Sequence, residues 1–401
     1  MKKIALLWID PFSLNKGVGA LAYSTLHVLE EISRSKGVAF EYYVVGTHHE
    51  SRSGQELLPV GDMEIPYQKT RCMVGGGLKG FLLSLYFRKE LRIFSEFDYV
   101  LDISEGDSFS DIYGAGRFHA QNFTKRAYAK RGIKQMLLPQ TIGPYEDAAI
   151  EKMAIESIEA CDTVLARDRQ SYEFLRQKTR QKNIDEIIDM AFFLPYEKNV
   201  FRDDQVHVGL NVSNLLWHGG YDESNQFGLV VDYRLLIDRI VKYFLAQKGV
   251  QLHLVPHVLD TRKTLENDYA LSLELEGHYR SDRIRLAPFF LTPVMAKNYI
   301  AGMDFFAGAR MHSAIAAFSS CVPVFPMAYS RKFSGLFVET LGYAPLGDMV
   351  RQDCDNVMQE LCAAFENRGD LKKLIRKVLQ GKVAERKALL KRHLERFLDL
   401  E

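Results

Sequence analysis

The chain has 401 residues, beyond the roughly 250–300 at which a single hydrophobic core stops growing, so two domains are expected. Its 52 basic and 51 acidic residues leave a net charge of +1, which excludes the whole-chain basic footprint of a nucleic-acid binder. Hydrophobic residues at 47% and charged residues at 26% are those of a globular protein in water. The five cysteines (Cys72, Cys161, Cys321, Cys354 and Cys362) have no CxxC or Cys/His spacing, so reduced thiols, a cytoplasmic setting and no metal site are expected.

"MKKIALLWIDPF" opens the chain as a buried strand, because its apolar run is short, Asp10 ends it and no cleavage site follows. The next strand-like runs are "FEYYVVGT", "FDYVLDIS", "IKQMLLPQ" and "DTVLARD". Helix-like segments separate them, such as "GVGALAYSTLHVLEEISRSKG", apolar at i, i+3, i+4 and i+7 with a terminal glycine. The polar stretch 199–205 breaks the rhythm and sets a boundary near 195–206. The alternation resumes with "VHVGLNVS", "VQLHLVPH", "RIRLAPF", "MDFFAG" and "VPVFPMA", and from 371 the chain is rich in Lys, Arg and Leu at helical spacing. This is the pattern of parallel βαβ layers. It predicts two doubly wound α/β domains, 1–198 and 206–370, with C-terminal helices over 371–401 that pack back across the cleft. No stretch approaches the roughly 18–20 uncharged apolar residues of a membrane span. Two basic segments, 75–94 (Lys79, Arg88, Lys89, Arg92) and 125–134, read as membrane-surface contacts or as core-packed helices with a solvated basic face.

In such folds ligands bind where strands give way to helix N-termini, which confines the search to strand-end loops. The first loop carries Asn15, Gly17 and Gly19 before a helix, as turn chemistry or as backbone that approaches an anion. "DISEGDSFSDIYG", 102–114, offers Asp107, Ser108 and Asp111, either as helix caps at Ser108 or Ser110 or as carboxylates that bind sugar hydroxyls. "LLPQTIGPY" ends its strand in Gln140, and "LARDRQSYEFL" ends its own in Arg167, an ion-pair anchor for Asp168 or an anion receptor. Farther on, His257 follows "LVP", "GARMHS" delivers Arg310 and His312, and "PMAYSRKFSGLF" adds Tyr329 and Lys332. Two histidines and two cations at three strand ends describe a receptor for a compact anion with acid–base groups beside it.

With these stretches in order the chain resembles the polysaccharide pyruvyl transferase family over about residues 1–345. The matching stretches are Asn15-x-Gly17, "DSFSDIYG", "LPQTIGPY", "ARDRQSYEFL", "DMAFFL", "VGLNVS", "LVPH" and the Gly-x-Arg-x-His block with its downstream Pro, Tyr and Lys. It departs from the family's pattern at Val18 and at Ser104-Glu105-Gly106, on the acceptor side. The resemblance implies a glycosyltransferase-B-like pair of Rossmann-like domains facing across a cleft, with no cofactor. It implies phosphoenolpyruvate as donor, bound near Arg310, Met311 and His312 with Arg167 opposite. The acceptor is a sugar of a surface glycan, carried on a polyprenyl lipid at the inner face of the membrane. The product is a cyclic pyruvate ketal. On this reading Arg310 and Arg167 hold carboxylate or phosphate, His312 is the acid–base group and Lys332 a further phosphate contact. The competing readings are a nucleotide-sugar glycosyltransferase of the same fold and a non-catalytic glycan-binding member. Against the former, no acidic residue follows the Arg-x-His block before Glu339.

Overall fold

The computed structural model describes residues 1–45, 54–70, 96–260 and 264–401. One sheet holds β1 (Lys2–Leu7), β2 (Phe40–Val45), β3 (Gly54–Val60), β4 (Met63–Thr70), β5 (Tyr99–Asp102), β6 (Lys134–Gln140), β7 (Thr163–Ala166) and β8 (Ile184–Glu186), in the order β3-β4-β2-β1-β5-β6-β7-β8. All its neighbours pair in parallel except β3 with β4. A second sheet, entirely parallel, holds β9 (Val206–Asn211), β10 (Val250–Leu254), β11 (Ile284–Leu286), β12 (Phe305–Gly308), β13 (Val324–Ala328) and β14 (Gly347–Asp348), in the order β11-β10-β9-β12-β13-β14. Each unit is a Rossmann-like α/β domain.

Every strand-like run read from the sequence is a strand, and β3, β4, β8 and β14 come in addition. β3 and β4 form a hairpin about Gly61–Asp62, with Gly61 at φ 62°, a left-handed turn that glycine adopts at little cost. β8 and β14 are three and two residues long, too short for any alternation to show.

Both sheets start in their middle. β1 lies between β2 and β5, and β9 between β10 and β12, so connections leave to opposite faces and open a crevice at the carboxyl ends of the central strands. Beside that crevice in the second sheet runs the helix Met311–Ser319, "MHSAIAAFS". Its small residues let it lie close to β12: a Cβ on Gly308 would stand 2.8 Å from Ser313 Oγ.

The chain divides into two compact units, Met1–Pro11 with Leu21–Phe193 and Glu385–Glu401, and Phe12–Ala20 with Leu194–Ala384. Residues 12–20 lie in the second unit, although sequence order puts them in the first domain. They pair along the loop after β10: Lys16 N–H donates to the His257 carbonyl at 3.0 Å, Leu259 N–H to that of Leu14 at 2.9 Å, and Asn15 bridges Val258. The tail 385–401 lies in the first unit. Tyr99 O–H donates to Asp399 at 2.8 Å, and Lys387 and Lys391 reach Glu31 at 3.0 and 3.3 Å.

Two features bear on the expected membrane face. The segment 75–94 lies outside the described residues. In 125–134, Lys125 is not on the surface: its ammonium is fully buried, 2.9 Å from both Asp102 Oδ2 and Ser104 Oγ, because helical periodicity turns it inward while Arg126 faces out. Among the described residues no helix is long and apolar enough to cross a membrane.

Residues 194–205 are pinned within the second unit. Lys297 Nζ donates to the Leu194 carbonyl at 2.9 Å, and Phe201 stacks on His207 with centroids 4.2 Å apart. Beneath it a hydrogen-bond chain runs one way. The Asp203 carboxylate can only accept, so His207 Nε2 donates to it at 2.8 Å. His207 Nδ1 then accepts from His253 Nε2 at 2.9 Å, and His253 Nδ1 from Tyr299 O–H at 2.7 Å. Burial, then His207 and Arg285, push His253 from 6.5 down to about 3. A histidine depressed in the folded state contributes stability above its unfolded value and loses it as pH falls toward the folded one. Unfolding free energy is therefore expected to decline by roughly 1.4 kcal/mol per pH unit from this residue between pH 6.5 and 3. Denaturant titrations should show that slope flattened in His253→Gln.

Candidate active site

In the second unit, the ends of β9, β10 and β12 meet the loop before the helix Lys16–Lys36. Asn211, the last residue of β9, ties them together. Its Nδ2 donates to the Val255 carbonyl at 3.0 Å and its Oδ1 accepts the Arg310 N–H at 2.9 Å. Arg310 is the N-cap residue of Met311–Ser319 and uses no side-chain cap; Ser313 returns its hydroxyl to the Arg310 carbonyl at 2.7 Å instead. The guanidinium forks onto Asp268, Nη2 to Oδ1 at 2.8 Å and Nε to Oδ2 at 3.1 Å, and Nη2 also reaches the Glu266 carbonyl. Nη1 makes no hydrogen bond to a described residue. Burial works against the Arg310 charge, and Asp268 more than offsets it, so the group stays protonated.

Asp268 is the hub. It is fully buried, and its two oxygens also accept the backbone N–H groups of Asn214 at 3.0 Å and Val258 at 3.1 Å. One carboxylate thereby fixes the arginine and the loops after β9 and β10.

His312 lies against the N-terminal loop. A Cβ built on Gly17 would fall 2.6 Å from the ring's Cγ, so only glycine leaves room for the imidazole there. Asn15 Oδ1 accepts the Gly17 N–H at 3.0 Å and holds that turn. Gly17→Ala is expected to displace the ring and lower kcat at least tenfold, with about 1–3 kcal/mol of overpacking cost. Kinetics beside melting curves will check it, and unchanged kcat would show the ring's position to be unimportant.

His257, wholly buried, is held far below its ordinary value by burial and by His312, Lys16 and Arg310. The Lys16 ammonium is also buried and donates to the carbonyls of Ser13 and Leu291 at 3.1 and 3.2 Å. Tyr329 packs between Phe227 and Phe333, with Lys332 Nζ 5.5 Å from its ring centre. The second unit thus gathers Asn15, Gly17, His257, Arg310, Met311 and His312, with Tyr329 and Lys332 after the next strand.

The first unit holds the other candidates, and there the expected roles change. Arg167 directly follows β7. It is fully buried, with Nη1 on Asp189 at 2.9 Å and Nε on Thr141 Oγ1 at 2.8 Å. Burial opposes its charge and Asp189 restores it. Asp168 caps the helix Arg169–Lys178 by accepting the Ser171 N–H at 2.8 Å. Gln140 is buried and ties β6 to the Asp102 carbonyl of β5 at 2.9 Å. Asp111 accepts the N–H groups of Glu146 and Asp147 at 2.7 and 2.9 Å, a loop staple. Neither Ser108 nor Ser110 caps the helix Ala115–Ala129, which starts at Gly114 without a side-chain cap; Ser110 bonds the Asp107 carbonyl. Asp107 itself accepts from Tyr113 O–H at 3.1 Å. Among the described residues no three His, Cys, Asp or Glu side chains form a group that holds a metal ion.

The sequence reading passed over Asp268, Asn211, Lys16 and Asp189 as functional side chains. Asn211 and Asp189 stood inside quoted motifs, and Lys16 lies between Asn15 and Gly17. Asp268 had no local signal.

A family model described as polysaccharide pyruvyl transferase matches residues 15–331. No curated protein matches the chain in sequence. Among solved structures, a Neisseria meningitidis UDP-GlcNAc 2-epimerase bound to UDP-GlcNAc is 10% identical, with 97% of this chain and 100% of that one covered at a TM-score of 0.54. The S. aureus MnaA structure with UDP is 12% identical over 100% and 98%, with a TM-score of 0.58. An α,α-trehalose-phosphate synthase (UDP-forming) from Burkholderia vietnamiensis is 9% identical over 100% and 97%, with a TM-score of 0.56. At such identities the likeness is one of fold, that of glycosyltransferase-B-type enzymes.

Proposed function

Because the chain belongs to the polysaccharide pyruvyl transferase family, we propose that it transfers the enolpyruvyl group of phosphoenolpyruvate to a sugar and closes a pyruvate ketal across two of its hydroxyls. The acceptor is a surface polysaccharide or its polyprenyl-linked precursor, which brings the enzyme to the inner face of the membrane. The observation that carries the reading is the convergence of His257 after β10, Arg310 and His312 after β12, and Lys16 from the N-terminal loop. A three-carbon molecule with a carboxylate and a phosphate calls for cations with proton-carrying rings beside them.

The chemistry follows from the substrate. Protonation of the terminal methylene carbon makes the adjacent carbon electrophilic, and a sugar hydroxyl attacks it. Phosphate then leaves and the second hydroxyl closes the ring, so phosphoenolpyruvate and a diol become ketal and inorganic phosphate. His312 serves as the acid–base group. Arg310, oriented by Asp268, offers Nη1 to a donor oxygen, and the N-terminus of Met311–Ser319 adds partial positive charge. Lys332 is a further phosphate contact. Arg167 holds Thr141 and Asp189 within the first unit.

Incubation with phosphoenolpyruvate and a panel of glycan acceptors should release inorganic phosphate and yield a sugar product heavier by a ketal-linked pyruvate, read by mass spectrometry. Turnover of nucleotide sugars in its place would refute the proposal.

A further inference from the structure

His257 ends the run "LVPH" after β10 and is 3% exposed. Its carbonyl is engaged by the Lys16 N–H, but its ring makes no hydrogen bond to a described residue. Buried polar rings are ordinarily paired, so an imidazole left this way awaits a partner from outside the chain. The charges that face it come from two elements: Lys16 from the N-terminal loop, and Arg310 and His312 from the β12 end. The carboxylate nearest in the chain of contacts, Asp268, accepts the neighbouring Val258 N–H but is forked by Arg310.

We propose that an anionic donor enters this site together with a proton, taken from solvent by His257, which is neutral in the empty site and cationic in the filled one. This rests on the reading of the site as a phosphoenolpyruvate site. In the empty site, burial and the neighbouring His312, Lys16 and Arg310 all oppose a charge on the ring. A phosphoryl group brings about −1.5 to −2 at neutral pH, and the donor's carboxylate adds another negative charge. One opposite charge within about 4–6 Å moves a pKa by roughly 1–3 units toward the charged form, and here two arrive together. The imidazolium then donates to a donor oxygen through a ring nitrogen that had no partner. Each proton taken up makes the affinity rise about tenfold per unit fall in pH while the ring titrates. The site is thereby built for an anion that carries both groups, and donor binding is coupled to pH.

The test is isothermal titration of the full chain with phosphoenolpyruvate and, separately, with inorganic phosphate, at pH 8 in buffers of different ionisation enthalpy. Wild type should bind phosphoenolpyruvate with a net uptake of protons. His312→Gln should keep the uptake, and His257→Gln should lose it while binding about tenfold more weakly. His257→Asn serves if the glutamine does not fold, and the wild-type measurement needs no variant. Binding by wild type without proton uptake, or uptake unchanged in His257→Gln, overturns the coupling and leaves the donor reading standing. Failure of wild type to bind either ligand overturns the donor reading and this inference with it.

Discussion

Replacing His312 by alanine is expected to lower kcat by roughly 10²–10⁴, the range for a lost acid–base group, while phosphoenolpyruvate still binds within a fewfold of wild type. Arg310, not His312, occupies the N-cap position of Met311–Ser319, so the imidazole is not the residue that caps the helix. It lies instead on the bare Cα of Gly17, a contact that a single methyl group would break. His312→Gln should be as impaired as alanine, because an amide restores a hydrogen bond and no transferable proton. Were the ring structural, alanine would cost about 1 kcal/mol of stability and spare the rate. Steady-state kinetics and melting curves on the two variants separate these outcomes, and near wild-type turnover by His312→Ala ends the catalytic assignment.

The strand ends were legible because each places polar chemistry in an apolar run. Arg310 and His312 stand out of "DFFAGARMHSAIAAF", and His257 stands out after "LHLVP". Period and turn residues likewise marked ten strands, since a buried parallel strand is a dense apolar run. What stayed hidden depends on pairing across the fold. Arg167 stands beside Asp168, and local reading leaves open an ion pair with it or an anion receptor; Asp189, which accepts from the guanidinium, lies 22 positions away, while Asp168 caps a helix. Lys125 reads as one more charge in a basic stretch until the helix turns it onto Asp102. Asp268 opens the helix Asp268–Tyr279, and nothing nearby announces that both its oxygens serve an arginine 42 positions later. The grouping of 12–20 with the second unit is also a pairing property, carried by backbone bonds to 257–259 that no side-chain pattern encodes.

The Asp268–Arg310 pair should fail differently from its two ends. Asp268→Ala leaves a buried guanidinium without its counter-charge and frees the backbone N–H groups of Asn214 and Val258. Removing one partner of a buried pair costs about 3–5 kcal/mol, so this variant is expected to melt well below wild type. Asp268→Asn keeps the shape, but one of its two acceptor positions becomes an NH₂ that faces a donor, and it should recover only part of the loss. Arg310→Lys is milder in stability, because the carboxylate keeps a cation. A lysine is a point charge, however, and cannot span both oxygens while presenting an edge as Nη1 does. Loss of one hydrogen bond to a charged ligand group is worth about 1.5–3 kcal/mol. Arg310→Lys is therefore expected to weaken phosphoenolpyruvate binding by roughly 10–100-fold and to retain turnover at saturating donor, a KM effect rather than a kcat effect. The measurement is kcat and KM for donor at fixed acceptor, with denaturant midpoints for all three variants. An Arg310→Lys enzyme with unchanged KM would remove the arginine from the donor site, whereas a stable Asp268→Ala would show that the pair does not hold the strand ends together.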